Sequence, residues 1–469
     1  MSIRRALPLA LLAGALILAG CQATEAPPVD QPDTLVTVDG NSVLRTITPG
    51  LIFGANLGAW VSETKLGTTT RNLLQALRPS VARFPGGNIS NNFCWVRQMV
   101  SDNDHLVWDD WSWGTDVGEF IAFIKTVDGV PMFSLNPFDH TIDGDLHSAA
   151  DEAADLAGLF VAEGFPGAYY EVGNENDGSW NPMLTVNEYA DRFALLARAV
   201  KTIDPSAQLM GPVGSGVSSW IPDFLDRLAL LGATGLLDWV SFHRYGGWIS
   251  NSNANGIDLD DPQGLGENLT AIRSALDSRG LTQVKIAVTE MNAAIWDTGC
   301  TRDQFTIKQG LWLADALGVS LLKADMANVW IHLHPGADPH SLIDSEANPP
   351  AATKNYWPVA LAAQTLSSPL PTAPVEVLGV ARDLGDAVMT AYAVRKADGA
   401  IGILLLNKSD RAYDVGINLL AYPQSVNARR IAEAEYAAGT GPAAIDATIE
   451  ARRVNTTAPA RSIVGLEVR

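Results

Sequence analysis

The sequence predicts a (β/α)8 barrel that is followed by a smaller antiparallel β-sandwich. From about residue 51 to residue 333, short apolar runs alternate with helical segments in one unbroken series. After about residue 363 the helical segments stop, and short strands follow one another directly. Alternating strands and helices are typical of a parallel sheet, and eight strands in series favour a closed barrel. An open doubly wound sheet would carry an early phosphate-binding glycine loop, but neither GxGxxG nor a P-loop follows any of these runs.

The eight predicted barrel strands are short apolar runs, numbered one to eight in chain order. They cover residues 51–57, 81–84, 131–135, 169–172, 208–212, 239–243, 285–289 and 328–333. Segments between them, such as 186–203 and 265–278, place apolar residues at helical spacing, which predicts amphipathic helices. We therefore assign residues 50–362 to the barrel.

The remaining strands predict the sandwich. They cover residues 388–395, 400–407, 413–419, 429–436 and 462–468. Asp398-Gly399, between the first two, is a strong hairpin-turn signal. Asp39-Gly40 lies in the same way near the centre of the segment 35–47 and predicts a further hairpin. Residues 34–49 are therefore expected to add N-terminal strands to the sandwich of residues 363–469.

The N-terminus has the pattern of an export signal. Arg4 and Arg5 precede an apolar run over residues 6–18, which is too short to span a membrane. The run ends in Leu-Ala-Gly before Cys21, which resembles the lipobox of bacterial lipoproteins. That resemblance implies a signal peptide over residues 1–20 and acylation of Cys21. The alternative is an ordinary secretory signal with an incidental cysteine.

Residues 21–33 are rich in Pro, Ala, Thr and acidic side chains, which predicts a flexible tether. Gln22 stands where inner-membrane retention would favour Asp, so the resemblance implies an outer-membrane protein. We thus expect a bacterial cell-envelope protein, held on the membrane by its N-terminal lipid alone.

Charge and cysteine content narrow the expected partners. Without residues 1–20 the chain has 30 basic and 52 acidic side chains. Such an excess of negative charge repels nucleic acid and polyanions, and it suits a neutral oligo- or polysaccharide. Cys94 and Cys300 could form a disulfide in an oxidising compartment, but two cysteines do not decide this. Neither has CxxC spacing, so we predict no metal site, and we expect no cofactor.

Two glutamates stand where a parallel barrel places its reactive groups, at the C-terminal ends of strands. Strand four leads into Glu175, and strand seven leads into Glu290. Burying a carboxylate costs free energy, so two at strand ends indicate a purpose. Retaining glycoside hydrolysis uses one carboxyl to protonate the leaving oxygen and the other to attack the anomeric carbon. The alternative is a pair of structural carboxylates that cap helices or bind arginines.

Gly-Asn-Glu after strand four, with Glu at the end of strand seven, resembles the pattern of clan A glycoside hydrolases. The resemblance implies that Glu175 is the acid/base, Glu290 the nucleophile and Asn174 a contact of the sugar 2-hydroxyl. Arg83 then resembles the strand-two arginine that supports the nucleophile. His243 and Tyr245 in strand six are also matched by the clan and imply further substrate-site residues; they are listed with the binding candidates below.

Within the clan, the motifs resemble family 51, the α-L-arabinofuranosidases and related enzymes. They are Arg-Phe-Pro-Gly-Gly-Asn at 83–88 with Cys94-Trp95 downstream, Glu-Val-Gly-Asn-Glu-Asn-Asp-Gly at 171–178, His-Arg-Tyr at 243–245, and Asp-Met-Ala-Asn at 325–328. Strand eight departs from the family pattern with Trp330, His332 and His334, and strand one has Trp60 in place of the usual Glu region. These departures leave furanoside specificity open.

Substrate contacts are expected from polar and aromatic residues at the strand ends. Trp330 and His332 alternate on one strand face with His334 and should point into the barrel mouth. Tryptophans that follow strands could stack on sugar rings, although a single one more often packs a loop. The binding candidates are Arg83, Asn88, Asn174, Trp180, His243, Tyr245, Trp248, Trp296, Trp330 and His332, with Trp60, Trp95, Asn136, Asp139 and His140 as weaker ones.

The predicted function is therefore a retaining, arabinofuranosidase-like glycoside hydrolase that acts on plant or algal polysaccharide or oligosaccharide. An endo-β-glycanase of the glucanase or xylanase type, or another exo-glycosidase of the clan, is the alternative; a non-catalytic carbohydrate-binding lipoprotein is more distant. A serine hydrolase would need GxSxG, which residues 214–216 lack. We expect Glu175 to have a raised pKa, Glu290 to be ionised, and their carboxyls to lie about 5–5.5 Å apart.

Overall fold

Eight parallel strands close into a barrel in the computed structural model, which describes residues 31–217, 220–246, 256–293, 304–370 and 372–469. The barrel strands are Gly54–Asn56, Val81–Phe84, Val130–Leu135, Tyr169–Val172, Gln208–Gly214, Trp239–Gly246, Lys285–Ala293 and Met326–Val329. Each strand pairs with the next along the chain, and the eighth pairs with the first. The predicted barrel is confirmed.

One helix follows each barrel strand, as the strand–helix alternation predicts. The helices are Thr68–Leu77, Val117–Thr126, Ala149–Ala162, Val186–Ile203, Trp220–Leu230, Asp261–Asp277, Ile307–Lys323 and Tyr356–Leu366. Two of them begin with a capping box, Asp116 with Glu119 and Thr185 with Glu188, in which each side chain binds the other's backbone N–H. These caps fix where the helix starts and therefore how long the preceding loop is.

Side chains that point into the barrel form layers. The layer nearest the N-terminal ends of the strands is apolar and consists of Val81, Met132, Met210, Trp239, Ala287 and Met326. Further along the same strands the interior side chains become polar. Glu171 is level with Ser134, and His243 is level with Glu290 in the neighbouring strand. The apolar layer thus forms a floor on which charged groups are held away from water.

The second domain is a ten-stranded sheet. Its strands are Thr34–Ile47, Val375–Arg382, Met389–Arg395, Ile401–Asn407, Tyr413–Leu419, Val426–Ile431, Ala443–Ala444, Ala447–Glu450, Arg453–Ala458 and Ser462–Val468. The described pairings are antiparallel, except that Thr34–Ile47 runs parallel to Tyr413–Leu419. Strands from both halves of the sheet share one apolar core, which includes Ile417 and Ile403. The predicted sheet domain is therefore confirmed, with one parallel pair.

A buried ion pair joins the two domains. Lys408 of the sheet domain lies 2.6 Å from the carboxylate of Asp315, which belongs to the barrel helix Ile307–Lys323. Thr390 and Tyr392 donate hydrogen bonds of 2.7 and 2.6 Å to the same carboxylate. All four side chains are buried, so the sheet domain packs on the barrel through a polar contact that allows little freedom of orientation.

Two local expectations are wrong. The segment 35–47 is one strand and not a hairpin, because both of its halves pair with Val375–Arg382 and the residues between Asp39 and Val43 form a bulge. Asp39 accepts a hydrogen bond from the backbone N–H of Asn41 at 2.9 Å, so its turn chemistry is satisfied inside the bulge. The predicted strand 429–436 is divided, since Val426–Ile431 is followed by the helix Glu433–Ala438.

Several sequence-based expectations fall outside the described residues. The signal peptide, Cys21, Trp248, Trp296 and Cys300 all belong to this group. The lipid anchor and the Cys94–Cys300 disulfide therefore stay predictions, which membrane fractionation and thiol titration of the whole protein would check. Among the helices in the described part of the chain, none is both long enough and apolar enough to cross a membrane.

Candidate active site

The two predicted catalytic glutamates meet at the C-terminal end of the barrel. Glu290 lies within the seventh strand, and Glu175 lies three residues beyond the fourth. One carboxylate oxygen of each lies within 4.8 Å of the other, and both residues are buried. Glu175 has a positive φ of 46°, a sparsely populated conformation for a residue other than glycine, and its backbone N–H donates to Val213 at 2.9 Å. The local backbone therefore aims this side chain across the barrel at Glu290.

Arg83 is fully buried below the two glutamates and joins three strands. Its Nη1 donates to Glu290 at 2.7 Å, its Nε to Glu171 at 2.6 Å, and its Nη2 to Asn174 at 2.7 Å. Burial lowers the pKa of Arg83, but the charges of Glu171 and Glu290 outweigh it and the pKa is raised. The guanidinium thus stays charged and holds Glu290 in one orientation.

Glu171 is a site residue that the sequence analysis missed. It is fully buried, and besides Arg83 it accepts hydrogen bonds from Thr289 at 2.7 Å and Ser134 at 3.3 Å. Its carboxylate balances the second half of the Arg83 charge, so that Arg83 does not depend on Glu290 alone. The signal was present in the sequence, because Glu171 alternates with apolar neighbours in strand four and so had to point into the barrel.

The strand-six pair contacts both glutamates. The hydroxyl of Tyr245 donates to Glu290 at 2.6 Å, while Nδ1 of His243 lies 2.8 Å from Glu175 and 3.5 Å from Glu290. Burial and the charges of Glu290 and Glu175 raise the pKa of Tyr245 well above its ordinary value, so this phenol stays a neutral donor. Glu290 is therefore held by Arg83 on one oxygen and by Tyr245 on the other.

The resting state of Glu175 differs from the expectation. Burial raises its pKa, but the hydrogen bond and charge of His243 and a hydrogen bond of 2.7 Å from the indole of Trp180 outweigh this, and the pKa is lowered. Burial lowers the pKa of His243 in turn, but the charge of Glu290 and the bond to Glu175 raise it overall. The raised pKa expected for Glu175 was therefore wrong for the resting site, where the acidic proton is shared with His243.

A group of asparagines holds the loop after strand four. Asn174 donates from Nδ2 to Asn88 at 3.1 Å, and its backbone N–H donates to Asn91 at 3.0 Å. The amide of Asn91 donates to the backbone oxygen of Asn174 at 2.7 Å and accepts from Asn176 at 3.1 Å. Asn174 is almost fully buried, so in this arrangement it acts on the site through Arg83 and Asn88.

A cavity of about 930 Å³ contains both glutamates and is large enough for a sugar unit with its neighbours. Its lining residues are Trp60, Gly87, Asn88, Ile89, Glu175, Trp180, Ser215, Gly216, His243, Arg244, Tyr245, Glu290, Trp330 and His334. The rings of Trp60 and Trp330 lie 6.0 Å apart at 55°, and Trp180 is 53% exposed at the rim. Polar groups therefore form the base of the cavity, and aromatic rings form its walls.

The predicted binding residues divide into three groups. Asn88, Trp180, His243, Tyr245 and Trp330 line the cavity, together with the weaker candidate Trp60. Arg83 and Asn174 lie underneath it, and Trp95, Asn136, Asp139 and His140 do not line it. Sequence reasoning did not single out Ile89, Arg244 or the pair Ser215 and Gly216, which come from loops without a motif.

His332 does not line the cavity, whereas its neighbour His334 does. The barrel strand ends at Val329, so the alternation assumed for residues 330–334 does not continue beyond it. The Nδ1 atom of His332 accepts from the backbone N–H of Asn56 at 3.3 Å, and burial lowers the pKa of this histidine to about 3. His332 is therefore a neutral core residue, and its placement corrects the predicted substrate contact.

In the described part of the chain, two groups of side chains bring possible metal-ligand atoms within 4.8 Å of one another. One is Glu175, His243 and Glu290, whose ligand atoms already hydrogen-bond to each other, to Arg83 and to Tyr245. This group is explained by acid–base chemistry alone. The other group surrounds Cys94 and lies outside the cavity lining.

Trp180→Phe is expected to move the alkaline limb of the kcat/KM profile to higher pH. Removing the indole N–H takes away a bond that stabilises the Glu175 carboxylate, so the pKa of Glu175 rises. The acid must be protonated to act, hence activity persists to a higher pH. The pH profile of the variant is the measurement. Trp113→Phe, at an equally exposed tryptophan away from the cavity, is the control and should leave the limb in place; an unmoved limb in both would contradict the role of Trp180.

Comparisons with known proteins agree with the motifs. No family model matches the sequence. The chain is similar to the intracellular exo-α-(1→5)-L-arabinofuranosidase of Acetivibrio thermocellus, with 28% identity over 211 residues, which are 40% of this chain and 41% of that protein. It spans about two fifths of the length of the curated relatives it matches.

Solved structures match over almost the whole chain. A family 51 arabinofuranosidase from Xanthomonas axonopodis pv. citri has a TM-score of 0.72 and 20% identity, covering 94% of this chain and all of that one. A family 44 xyloglucanase from Paenibacillus polymyxa has a TM-score of 0.68 and 16% identity, covering 93% of this chain and 99% of that one. These structural matches confirm the fold. Together with the sequence similarity, they confirm the resemblance to family 51 arabinofuranosidases within clan A.

Proposed function

We propose that this protein is a retaining glycoside hydrolase of the α-L-arabinofuranosidase type. The observation that carries the proposal is the approach of Glu175 and Glu290 to within 4.8 Å inside an aromatic-walled cavity. Retaining enzymes place their two carboxyls about 5–5.5 Å apart, whereas inverting enzymes need roughly 6.5–9.5 Å to admit a water molecule. The observed approach supports retention.

In the first step Glu290 attacks the anomeric carbon, and a proton passes from Glu175 to the departing glycosidic oxygen. Arg83 and Tyr245 hold the two oxygens of Glu290 at 2.7 and 2.6 Å, which keeps the attacking carboxylate oriented. The carbon–oxygen bond of the substrate breaks, the leaving alcohol takes the proton, and a glycosyl ester of Glu290 forms. The proton comes from the pair that Glu175 forms with His243.

In the second step a water molecule replaces the leaving alcohol and is deprotonated by Glu175. The glycosyl ester at Glu290 is uncharged, so His243 loses the negative charge that contributes most to raising its pKa. Its proton is then held less strongly, and Glu175 becomes the acceptor for the proton of the water. Attack on the ester releases the sugar with its original anomeric configuration and regenerates the Glu290 carboxylate.

The substrate class rests on the relatives and on the charge of the site. The similar proteins named above include arabinofuranosidases, which favours a terminal arabinofuranosyl unit. The surplus of acidic side chains favours a neutral chain behind it. An endo-β-glycanase is the second candidate, favoured by the tryptophan walls and by the fold shared with a xyloglucanase.

The deciding experiment is hydrolysis of aryl glycosides and neutral polysaccharides, with the product followed by proton NMR. We expect release of arabinose from aryl α-L-arabinofuranoside, first as the α-anomer. Internal cleavage of glucan or xylan with no arabinofuranoside activity would favour the second candidate. An inverted first product would contradict the double-displacement mechanism, and binding without turnover of any substrate would indicate the non-catalytic carbohydrate-binding protein.

A further inference from the structure

Four potential metal ligands converge outside the cavity, on three segments that are separate in sequence. Cys94 lies in the loop after strand two, His140 and His147 lie in the hairpin after strand three, and Glu152 lies in the first turn of the third helix. The thiol, one ring nitrogen of each histidine and one carboxylate oxygen are all within 4.8 Å of one another. None of the four residues lines the cavity that holds Glu175 and Glu290.

The separations are those of a small tetrahedron. The Oε1 atom of Glu152 lies 2.9 Å from His147 Nδ1, 3.4 Å from Cys94 Sγ and 3.7 Å from His140 Nε2. Cys94 Sγ is 4.0 Å from His147 Nδ1. Bonds from zinc to sulfur of about 2.3 Å and to nitrogen of about 2.0–2.1 Å place tetrahedral ligand atoms roughly 3.3–3.8 Å apart. Adjustments of a fraction of an ångström would bring all four atoms to bonding distance.

His140 is oriented as a ligand. Its Nδ1 lies 3.1 Å from the backbone oxygen of Phe138, and donation to that oxygen leaves the lone pair on Nε2. Nε2 has no hydrogen-bond partner, although the side chain is fully buried and points at Glu152. A buried ring nitrogen without a partner costs free energy, which a bound cation would recover.

The hairpin places its two histidines together. His140 and His147 are directly opposite each other in the pairing of His140–Ile142 with Asp145–His147, so both side chains are on the same face. Their rings stack with centroids 5.1 Å apart and planes within 2° of parallel. Two imidazoles held in this way form one edge of a ligand tetrahedron, and Cys94 with Glu152 forms the other.

We propose that Cys94, His140, His147 and Glu152 bind one Zn²⁺ ion at a structural site. A set of one thiolate, two imidazoles and one carboxylate suits zinc better than calcium or magnesium, which prefer oxygen ligands throughout. Four protein ligands leave no open position for a substrate, so the ion stabilises the fold and does not take part in the hydrolysis. The assignment does not rest on the proposed glycosidase activity.

The ion would join the two loops that border the active-site cavity on this side. The loop that carries Cys94 also carries Asn88 and Ile89 of the cavity lining, and Asn91, which holds Asn174. The present link is a hydrogen bond of 3.3 Å from Trp95 to the backbone oxygen of Glu152. A zinc ion would add four bonds at the same junction and so fix the wall of the cavity.

The alternative is an ordinary hydrogen-bonded cluster, in which Glu152 accepts from the thiol of Cys94 and from His147. This alternative leaves His140 Nε2 without a partner and predicts that metal has no effect. Metal content and spectroscopy of the whole protein therefore distinguish the two. The protein is freed of metal with a chelator and titrated with Zn²⁺, and separately with Co²⁺, whose bond to a thiolate gives an intense near-ultraviolet absorption.

We expect one Zn²⁺ per chain, a thermal transition that rises on adding Zn²⁺, and a thiolate absorption with Co²⁺. Cys94→Ser should lose the absorption, and His140→Ala should lose most of the zinc. His105→Ala, a histidine of the Cys94 loop outside the ligand set, should retain both. If the wild-type protein takes up no zinc, or if Cys94→Ser and His140→Ala bind it as well as the wild type, the proposal is wrong. The cobalt spectrum of the wild type decides even if a variant fails to fold.

Discussion

Glu290→Gln should lower kcat by about 10⁴- to 10⁶-fold, the scale of losing a catalytic nucleophile. An amide cannot form the glycosyl ester, so double displacement stops before the first bond breaks. Arg83 and Tyr245 both donate to Glu290, and a glutamine can accept from only one of them with its oxygen. The NH₂ group then faces a donor, so the orientation of the side chain is lost as well as its charge.

Single-turnover and steady-state kinetics on the best substrate of the wild type measure this effect. Glu346→Gln, an exposed change outside the cavity, is the matched control and should leave kcat unchanged. Glu290→Ala provides a second test, because azide can occupy the space of the carboxylate and form a glycosyl azide of inverted configuration. Activity of Glu290→Gln within tenfold of the wild type would show that another group is the nucleophile.

Glu175→Ala is expected to lower the rate by about 10²- to 10⁴-fold on substrates with a poor leaving group, the usual contribution of a general acid–base residue. Substrates with an acidic phenol as the leaving group need little protonation, so their first step should be almost unaffected. The second step still lacks its base, hence the glycosyl ester at Glu290 should accumulate. Azide should then restore turnover by attacking the ester without deprotonation, giving a product of retained configuration.

The comparison of leaving groups is the decisive measurement for Glu175. A series of aryl glycosides should show a steeper dependence of kcat/KM on phenol pKa in Glu175→Ala than in the wild type. Equal losses across the series would contradict the assignment, because a structural carboxylate affects all leaving groups alike. Glu175→Gln separates charge from shape, since it retains an acceptor for the Trp180 indole that now donates at 2.7 Å.

The motifs at the strand ends were sufficient to predict which residues meet in the barrel. A parallel barrel places the C-terminal end of every strand at one edge, so Glu175 and Glu290 had to share that edge once the strands were located. The same argument brings Arg83, His243 and Tyr245 to it. The prediction of the barrel depends only on local periodicity, which each segment carries by itself.

The details of protonation depended on three-dimensional neighbours. The raised pKa expected for Glu175 assumed burial alone, whereas His243 and Trp180 approach from separate segments and stabilise the carboxylate. Glu171 was overlooked for a similar reason. Its role is visible only when Arg83, from a strand 88 positions earlier in the chain, is seen to bind it and Glu290 together.

The sequence by itself determined the barrel, the sheet domain and the pair of glutamates, because strand periodicity and strand-end position are local properties. Only the tertiary structure decided what lies between them: His332 turned into the core because the strand ends at Val329, and the segment 35–47 became one bulged strand because both halves found the same partner. The Cys94 cluster belongs to this second class. Its ligands come from three segments without metal-site spacing, and their convergence depends on how two loops pack. Contacts between segments distant in the chain leave no pattern in either segment alone.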